Sequence, residues 1–277
     1  MSPWQPELRC LLFHVTQRKI ARDMRLSVVI PTKNEALFLP KLLASIKRQT
    51  VHPSEVIVAD AQSTDETRAI AESFGARVVE GGMPGPGRNA GAKVAKGDVL
   101  LFLDADVELR DAKFLEASLK EMDRRSLDIA TCNVFPLSDD WVDHVMHKAY
   151  NIYARAWGEV FPHAPGFCMF IRSALHKKIK GFDESVVFCE DHDYAARASQ
   201  YGSFGILKSK KIPVSIRRLD RDGRVNIAMK YILAELHLAM LGPIRHNKFN
   251  YTFGYAKKRL ARRTLLRRRA SRSNTKQ

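Results

Sequence analysis

Asp104 and Asp106 stand one residue apart directly behind the apolar run 99–103. Carboxylates spaced this way at a strand end project to the same side of the pleat. Their repulsion is costly unless a cation joins them. A divalent ion holding a diphosphate suits that place, because Mg2+ takes one or two carboxylates and completes its shell with phosphate oxygens; Mn2+ is the other candidate. Two acids on a solvated loop would show the same spacing. Asp60 closes a second apolar run, 55–59, where a carboxylate can accept hydrogen bonds from a nucleobase imide or a ribose hydroxyl, or simply cap a turn. Arg88 lies in the Gly-rich stretch Gly85-Pro86-Gly87-Arg88-Asn89-Ala90-Gly91, where it could reach a phosphate at a helix start. Glu190-Asp191-His192-Asp193 places acids at the start of a helical segment. They either complement the helix dipole or supply a general base for an acceptor hydroxyl. Arg217-Arg218 follows an apolar run and offers cations for a departing anion, or forms a solvated turn.

The elements that must hold these residues alternate between strand and helix. Residues 26–30 form a short β-branched run that Pro31 should end. Asn34 is placed to cap a helix with Leu37, Leu39, Leu42, Leu43 and Ile46 on its apolar face. Strands are expected at 55–59, 77–80 and 99–103. The first of these is followed by a capping-box helix opening at Ser63 and ending at Gly75, and the second by a loop at 81–87 and a helix at 88–95. Near-continuous apolar strands alternating with helices mean a mostly parallel sheet covered on both faces, with ligands bound at the carboxyl ends of its strands. Further on, helices are expected at 112–124, 141–157, 190–201 and 225–241, and strands at 128–135, 167–171 and 212–216.

The chain has 277 residues, 45% apolar and 27% charged, a composition that makes a globular core and excludes disorder or coiled coil for its body. Its four cysteines are widely spaced with no CxxC pair, which argues against a zinc site or a disulfide scaffold and fits a reducing compartment. The net charge of +16 is concentrated at one end: residues 245–277 carry twelve Lys/Arg and no acid, leaving +4 for residues 1–244. No run reaches the roughly 20 apolar residues of a membrane span, and residues 8–20 do not read as a signal peptide. Met24 directly precedes the first strand, so residues 1–25 form either an upstream extension or an ordinary N-terminal arm. The helix at 225–241 sets Ile227, Tyr231, Leu238 and Leu241 on an apolar stripe. Beyond it Phe249, Tyr251, Phe253 and Tyr255 precede basic clusters, a pattern suited to the headgroups of an anionic membrane. The competing expectation is that this helix packs on the domain and the tail is solvated.

In this order the motifs resemble the inverting family 2 glycosyltransferases with the GT-A fold. The resemblance runs over about 26–218 and rests on Ser27 to Glu35, Val56 to Thr67, Gly87-Arg88-Asn89-Ala90-Gly91, Asp104-Ala105-Asp106, Gly181-Phe182-Asp183-Glu184 and Glu190-Asp191. One departure is Ala61, where that family often carries a second acid beside Asp60. The resemblance implies a Rossmann-like, mostly parallel sheet over 26–223, with an extension at 1–25 and an amphipathic helix and basic tail at 224–277. It implies that Pro31, Asn34, Glu35, Asp60, Arg88, Asp104 and Arg218 bind the nucleotide, Asp106 holds Mg2+ or Mn2+, and Asp191 deprotonates the acceptor. His163, His237 and His246 are candidates for a third metal ligand, and nothing in the sequence chooses among them. The expected partners are a nucleotide-sugar donor, a lipid or glycan acceptor and an anionic membrane surface, with a cytoplasmic protein peripheral to the inner face of the membrane. Two other classes compete. Residues 99–106 also resemble the nucleophile strand of haloacid-dehalogenase-type phosphatases, but three βα units precede it here. The basic tail could bind RNA by counterion release, although it has no recognised nucleic-acid fold.

Overall fold

The computed structural model describes residues 24–158, 162 and 164–246. Its centre is a seven-stranded sheet made of β1 (Leu26–Thr32), β2 (Glu55–Asp60), β3 (Arg77–Glu80), β4 (Val99–Leu103), β5 (Ile129–Pro136), β6 (Cys168–Arg172) and β7 (Phe204–Val214), in the order β3-β2-β1-β4-β6-β5-β7. All neighbours are parallel except β6, which runs antiparallel to both β4 and β5. The sheet is therefore mostly parallel, of the GT-A type.

Successive residues of the central strands feed opposite layers, as the pleat requires. Val28, Ile30, Leu101 and Leu103 enter one buried cluster, which α1 (Leu39–Lys47), α2 (Thr67–Ser73) and α4 (Phe114–Arg124) complete. Val29, Leu100 and Phe102 enter the other, with α3 (Pro84–Val94), α6 (Ser173–Lys178) and α7 (Glu190–Ser199). Strand order reverses between β1 and β4. The carboxyl ends of β1, β2 and β4 therefore open on one crevice, and that is where Glu35, Asp60 and Asp104 lie.

Several local expectations need correcting. Pro31 does not end β1, which continues to Thr32. Asn34 caps no helix; it takes a left-handed φ of 56° and its side-chain oxygen accepts the Thr64 N–H at 2.8 Å, tying the β1 loop to the β2 loop. The Ser63 capping box is replaced by Asp65, which accepts the N–H and hydroxyl of Thr67 just ahead of α2. α3 starts at Pro84, not Arg88, because prolines in the first helical turn give up N–H groups that have no helical partner there. Arg88 thus sits inside a helix. β7 begins eight residues before its expected start. Its Lys208 and Ser209 N–H groups are taken by the Glu121 carboxylate at an irregularity in the β5–β7 ladder. Arg217-Arg218 opens a one-turn helix, α8 (Arg217–Asp222), close behind β7.

α5 (Trp141–Trp157) lies against β5, where Asn151 accepts the Val134 N–H and donates to its carbonyl. α9 (Arg224–Leu241) runs beside α5 in the same direction. Arg224 at its start binds Asp143 at the start of α5, at 2.7 and 2.8 Å, and Tyr153 hydrogen-bonds Glu235 further along. The expected stripe of α9 faces inward: Ile227 is buried, and Leu238 packs on a small core with Phe188, Cys189, Ala234 and Ile244. Leu241 departs from it and is exposed, and Tyr231, beside the ring of Phe188, keeps 38% of its surface exposed. No described helix is long and apolar enough to cross a membrane. Most of the N-terminal extension, His163 and the basic clusters of the tail fall outside the described residues.

Candidate active site

Two arginines organise the crevice. Arg88, 2% exposed in the middle of α3, donates to Asp104 at 2.9 Å and to Glu190 at 2.8 Å. It packs over the ring of Phe182, 5.4 Å from the centroid. Burial works against its charge, but Asp104, Glu190 and Asp191 outweigh it and hold the guanidinium ionised. A buried charge with two hydrogen-bonded partners is tolerated where a lone one is not. Arg88 thus spends both terminal nitrogens on carboxylates.

Arg217, at the start of α8, grips Glu35 with both terminal nitrogens, at 2.8 and 2.7 Å, and meets Asp106 with Nε at 2.8 Å. The ring of Phe38 stacks 4.4 Å from its guanidinium carbon. Asp106 is pushed up by burial and by the charge of Asp104, against the pull of Arg217 and Arg218. Glu35 is likewise raised by burial against the Arg217 contact. Arg217 pairs directly with Asp106, and Arg218 adds its field.

Asp60 is fully buried at the end of β2. It accepts the Thr32 hydroxyl at 3.1 Å, the Ser63 N–H at 2.9 Å and the Ser63 hydroxyl at 2.5 Å. Asn34 and Gln62, both at positive φ, bend the flanking loops around it. With Arg68 Nη1 3.6 Å from Oδ2, the carboxylate is held rigidly at the end of the strand. Pro31, at the end of β1, packs beside Gly87 of α3.

Asp191 sits in the first turn of α7, behind Cys189 in the left-handed region at φ 56°. Its Oδ2 accepts the Gly166 N–H at 2.7 Å and its Oδ1 the His192 N–H at 3.0 Å. Each oxygen keeps a lone pair for a further donor. Next to it, Glu190 is pushed up by burial and by Asp191, against Arg88. Tyr150 of α5, pushed well up by burial and then by Asp191, and Tyr231 of α9, raised to about 12, back the same corner.

Gly166 was not legible as a site residue. A Cβ there would lie 2.4 Å from Arg88 Nη2, so only glycine lets the guanidinium pass while its own N–H anchors Asp191. The Pro165-Gly166 turn before β6 was the available signal. Glu190 as the second holder of Arg88 was also missed; 102 residues separate them.

Asp104 and Asp106 fit a divalent cation that draws most of its ligands from a diphosphate. They are paired acids, one of them desolvated, and arginines now balance their charge. No third His, Cys, Asp or Glu converges with them among the described residues. His237 and His246 instead face each other, ring centroids 5.3 Å apart, at the end of α9.

With the site in view, comparison with known proteins defines the class. The model of the family Glycosyl transferase family 2 matches residues 27–180, and the chain belongs to that family. The match takes in the β4 strand on which the phosphatase alternative rested. Similar proteins include a 4,4'-diaponeurosporenoate glycosyltransferase of Staphylococcus haemolyticus, 36% identical over 126 residues, 42% of this chain and 33% of that protein. A PGL/p-HBAD biosynthesis glycosyltransferase of Mycobacterium bovis is 41% identical over 97 residues, 32% of this chain and 38% of that protein. The matched part thus spans about a third of each relative's length. Among solved structures, the mannosyltransferase PcManGT of Pyrobaculum calidifontis, in complex with GDP-Man and Mn2+, superposes with a TM-score of 0.65 at 17% identity, over 83% of this chain and 71% of that one. S. aureus TarS 1-349 in complex with UDP gives 0.55 at 22% identity, over 79% and 67%. At these identities the superpositions speak for the fold.

Proposed function

We propose that this chain transfers a sugar from a nucleotide-sugar donor to an acceptor hydroxyl with inversion at the anomeric carbon. The observation that carries this reading is the gathering of Asp104, Glu190 and Asp191 around Arg88, and of Glu35 and Asp106 around Arg217, at the strand switch point where Asp60 also ends β2. Residues 26–223 form the catalytic unit.

Asp60 receives the nucleobase, with Pro31 and Asn34 shaping the adjoining wall and Asp104 reaching the ribose. Glu35 and Arg88 act indirectly: Glu35 aligns Arg217, and Arg88 holds Asp104 in place. Arg217 and Arg218 face the charge that builds on the leaving diphosphate, where fixed cations lower the barrier without reorganising. Mg2+ or Mn2+ held by Asp106 with Asp104 would add Lewis-acid neutralisation of the same group. Asp191, oriented by the Gly166 N–H, takes the proton of the acceptor hydroxyl. The acceptor oxygen bonds to the anomeric carbon from the face opposite the donor bond. The anomeric C–O bond breaks, and its electron pair leaves with the nucleoside diphosphate. The acceptor is a lipid or glycan presented at the cytoplasmic face of an anionic membrane, which is consistent with the basic end of the chain.

Thermal shifts with UDP, GDP, dTDP and CDP, each with and without Mn2+, test the reading. At least one nucleotide should raise the melting temperature, and Mn2+ should enlarge the rise. No shift with any of the four would contradict nucleotide-sugar chemistry.

A further inference from the structure

α5 and α9 each turn a second face to solvent, opposite the one they bury. On α5, Trp141, Val145 and Ile152 lie across the helix from buried Asp143 and Ala154. On α9, Met229, Leu236 and Met240 lie across from buried Ile227 and Ala234; Met240 is 78% exposed and Trp141 73%. The pattern i, i+4, i+11 on one helix and i, i+7, i+11 on the other makes two straight stripes. The helices are parallel, tied by Arg224–Asp143 and Tyr153–Glu235 on the sides that face each other. Both stripes therefore point the same way and join into one apolar face. Single exposed hydrophobics need no explanation, but a contiguous two-helix face of tryptophan, leucine, isoleucine and methionine does.

We propose that this α5–α9 face is the surface that docks the protein on an anionic lipid leaflet. The inference rests on the membrane-side acceptor in the proposed function and assigns the docking to these helices, not to the basic tail alone. Three observations favour a bilayer over another occupant. The exposed tryptophan at the start of α5 and the methionines and leucines of α9 suit shallow burial at the headgroup boundary. The chain leaves the end of α9 through Ile244 into residues 247–277, which hold eleven Lys/Arg and no acid, so the charge complement of an anionic surface is tethered to the apolar face. Tyr150 and Tyr231, on the other side of the same helix pair, feel the charge of Asp191, so docking on the outer face leaves a single helix layer between the acceptor base and the lipid surface.

The test is flotation of the full-length chain with phosphatidylcholine vesicles containing about a third phosphatidylglycerol, at physiological salt. Met229→Glu/Leu236→Glu, at exposed positions outside the site, should lower vesicle partitioning at least about tenfold. Truncation after Tyr255 should remove most of the salt sensitivity while leaving residual binding that the double variant abolishes. Nucleotide binding by calorimetry should be unchanged in both variants, so a failure of the donor reading shows separately. Equal flotation of wild type and double variant overturns the proposal. So does a loss of melting temperature in the double variant, which would mean that the face is covered by the chain itself. A wild-type dimer that the double variant dissolves also overturns it, because the face would then belong to a second copy.

Discussion

Glu35, Asp104, Asp106 and Glu190 are held by two arginines, and that arrangement sets what each residue does. Arg88 is sealed between its partners; Arg217 is 17% exposed and stands at the open side. Burial and the charge of Asp104 strain the ionised form of Asp106. An incoming cation relieves that strain, so Asp106 should carry the metal dependence of nucleotide binding. Asp106→Asn keeps the volume and removes the charge. Its nucleotide affinity in Mn2+ should fall to the metal-free level, by about tenfold or more, with the melting temperature held near wild type. Calorimetric titration with and without Mn2+ measures it; an undiminished Mn2+ effect would remove Asp106 from the site. The four carboxylates were visible in the sequence as residue types in motifs. Their pairing with Arg88 and Arg217 was not, because no local period encodes a contact between residues 182 positions apart, as Glu35 and Arg217 are.

Among the elements, α3 and α7 position most of the chemistry, and each has a testable support. Gly91 brings α3 against β1: a Cβ there would fall 2.3 Å from Val29 Cγ1 inside a closed core. Alanine in a helix interior normally gains about 1 kcal/mol over glycine. Overpacking costs about 1–3 kcal/mol, and the buried valine cannot withdraw, so Gly91→Ala should be net destabilising in urea denaturation; a stabilised variant would show that α3 can lift off the sheet. The start of α7 is pinned to α9 by His192, 3.2 Å from Glu235. Burial lowers the pKa of His192, but Asp191, Glu235 and Glu190 together raise it above its ordinary value. A raised folded pKa gives stability that is complete below the unfolded value near 6.5 and is lost as pH rises through the folded value. Between about pH 6 and 8 wild type should lose on the order of a few degrees of melting temperature more than His192→Gln. Parallel curves would contradict the imidazolium–Glu235 pairing.

At the scale of the whole molecule, the parallel sheet was legible because β1, β2 and β4 are short and apolar, the first two rich in β-branched residues, and the acids at their ends mark the crevice. The start of α3 was obscured by prolines that read as a loop. The first residues of β7 were obscured by Lys208 to Lys211, which a carboxylate and an irregular ladder accommodate. α9 is apolar on nearly every side, so periodicity picked out its inward stripe and left the outward one unseen. By its spacing Asp191 was one of three acids at a helix start, and the resemblance alone marked it; the structure adds the contact with the Gly166 N–H, 25 residues earlier. The role given to Asp191 is therefore the most exposed point of the proposed mechanism, and Asp191→Asn addresses it directly. The amide keeps the Gly166 N–H contact through its oxygen but cannot take a proton. With the nucleotide-sugar identified by thermal shift, single-turnover transfer should fall by at least about a hundredfold while donor affinity stays within about threefold of wild type. Transfer at near wild-type rate in Asp191→Asn would contradict the assignment of the base and, with it, the proposed mechanism.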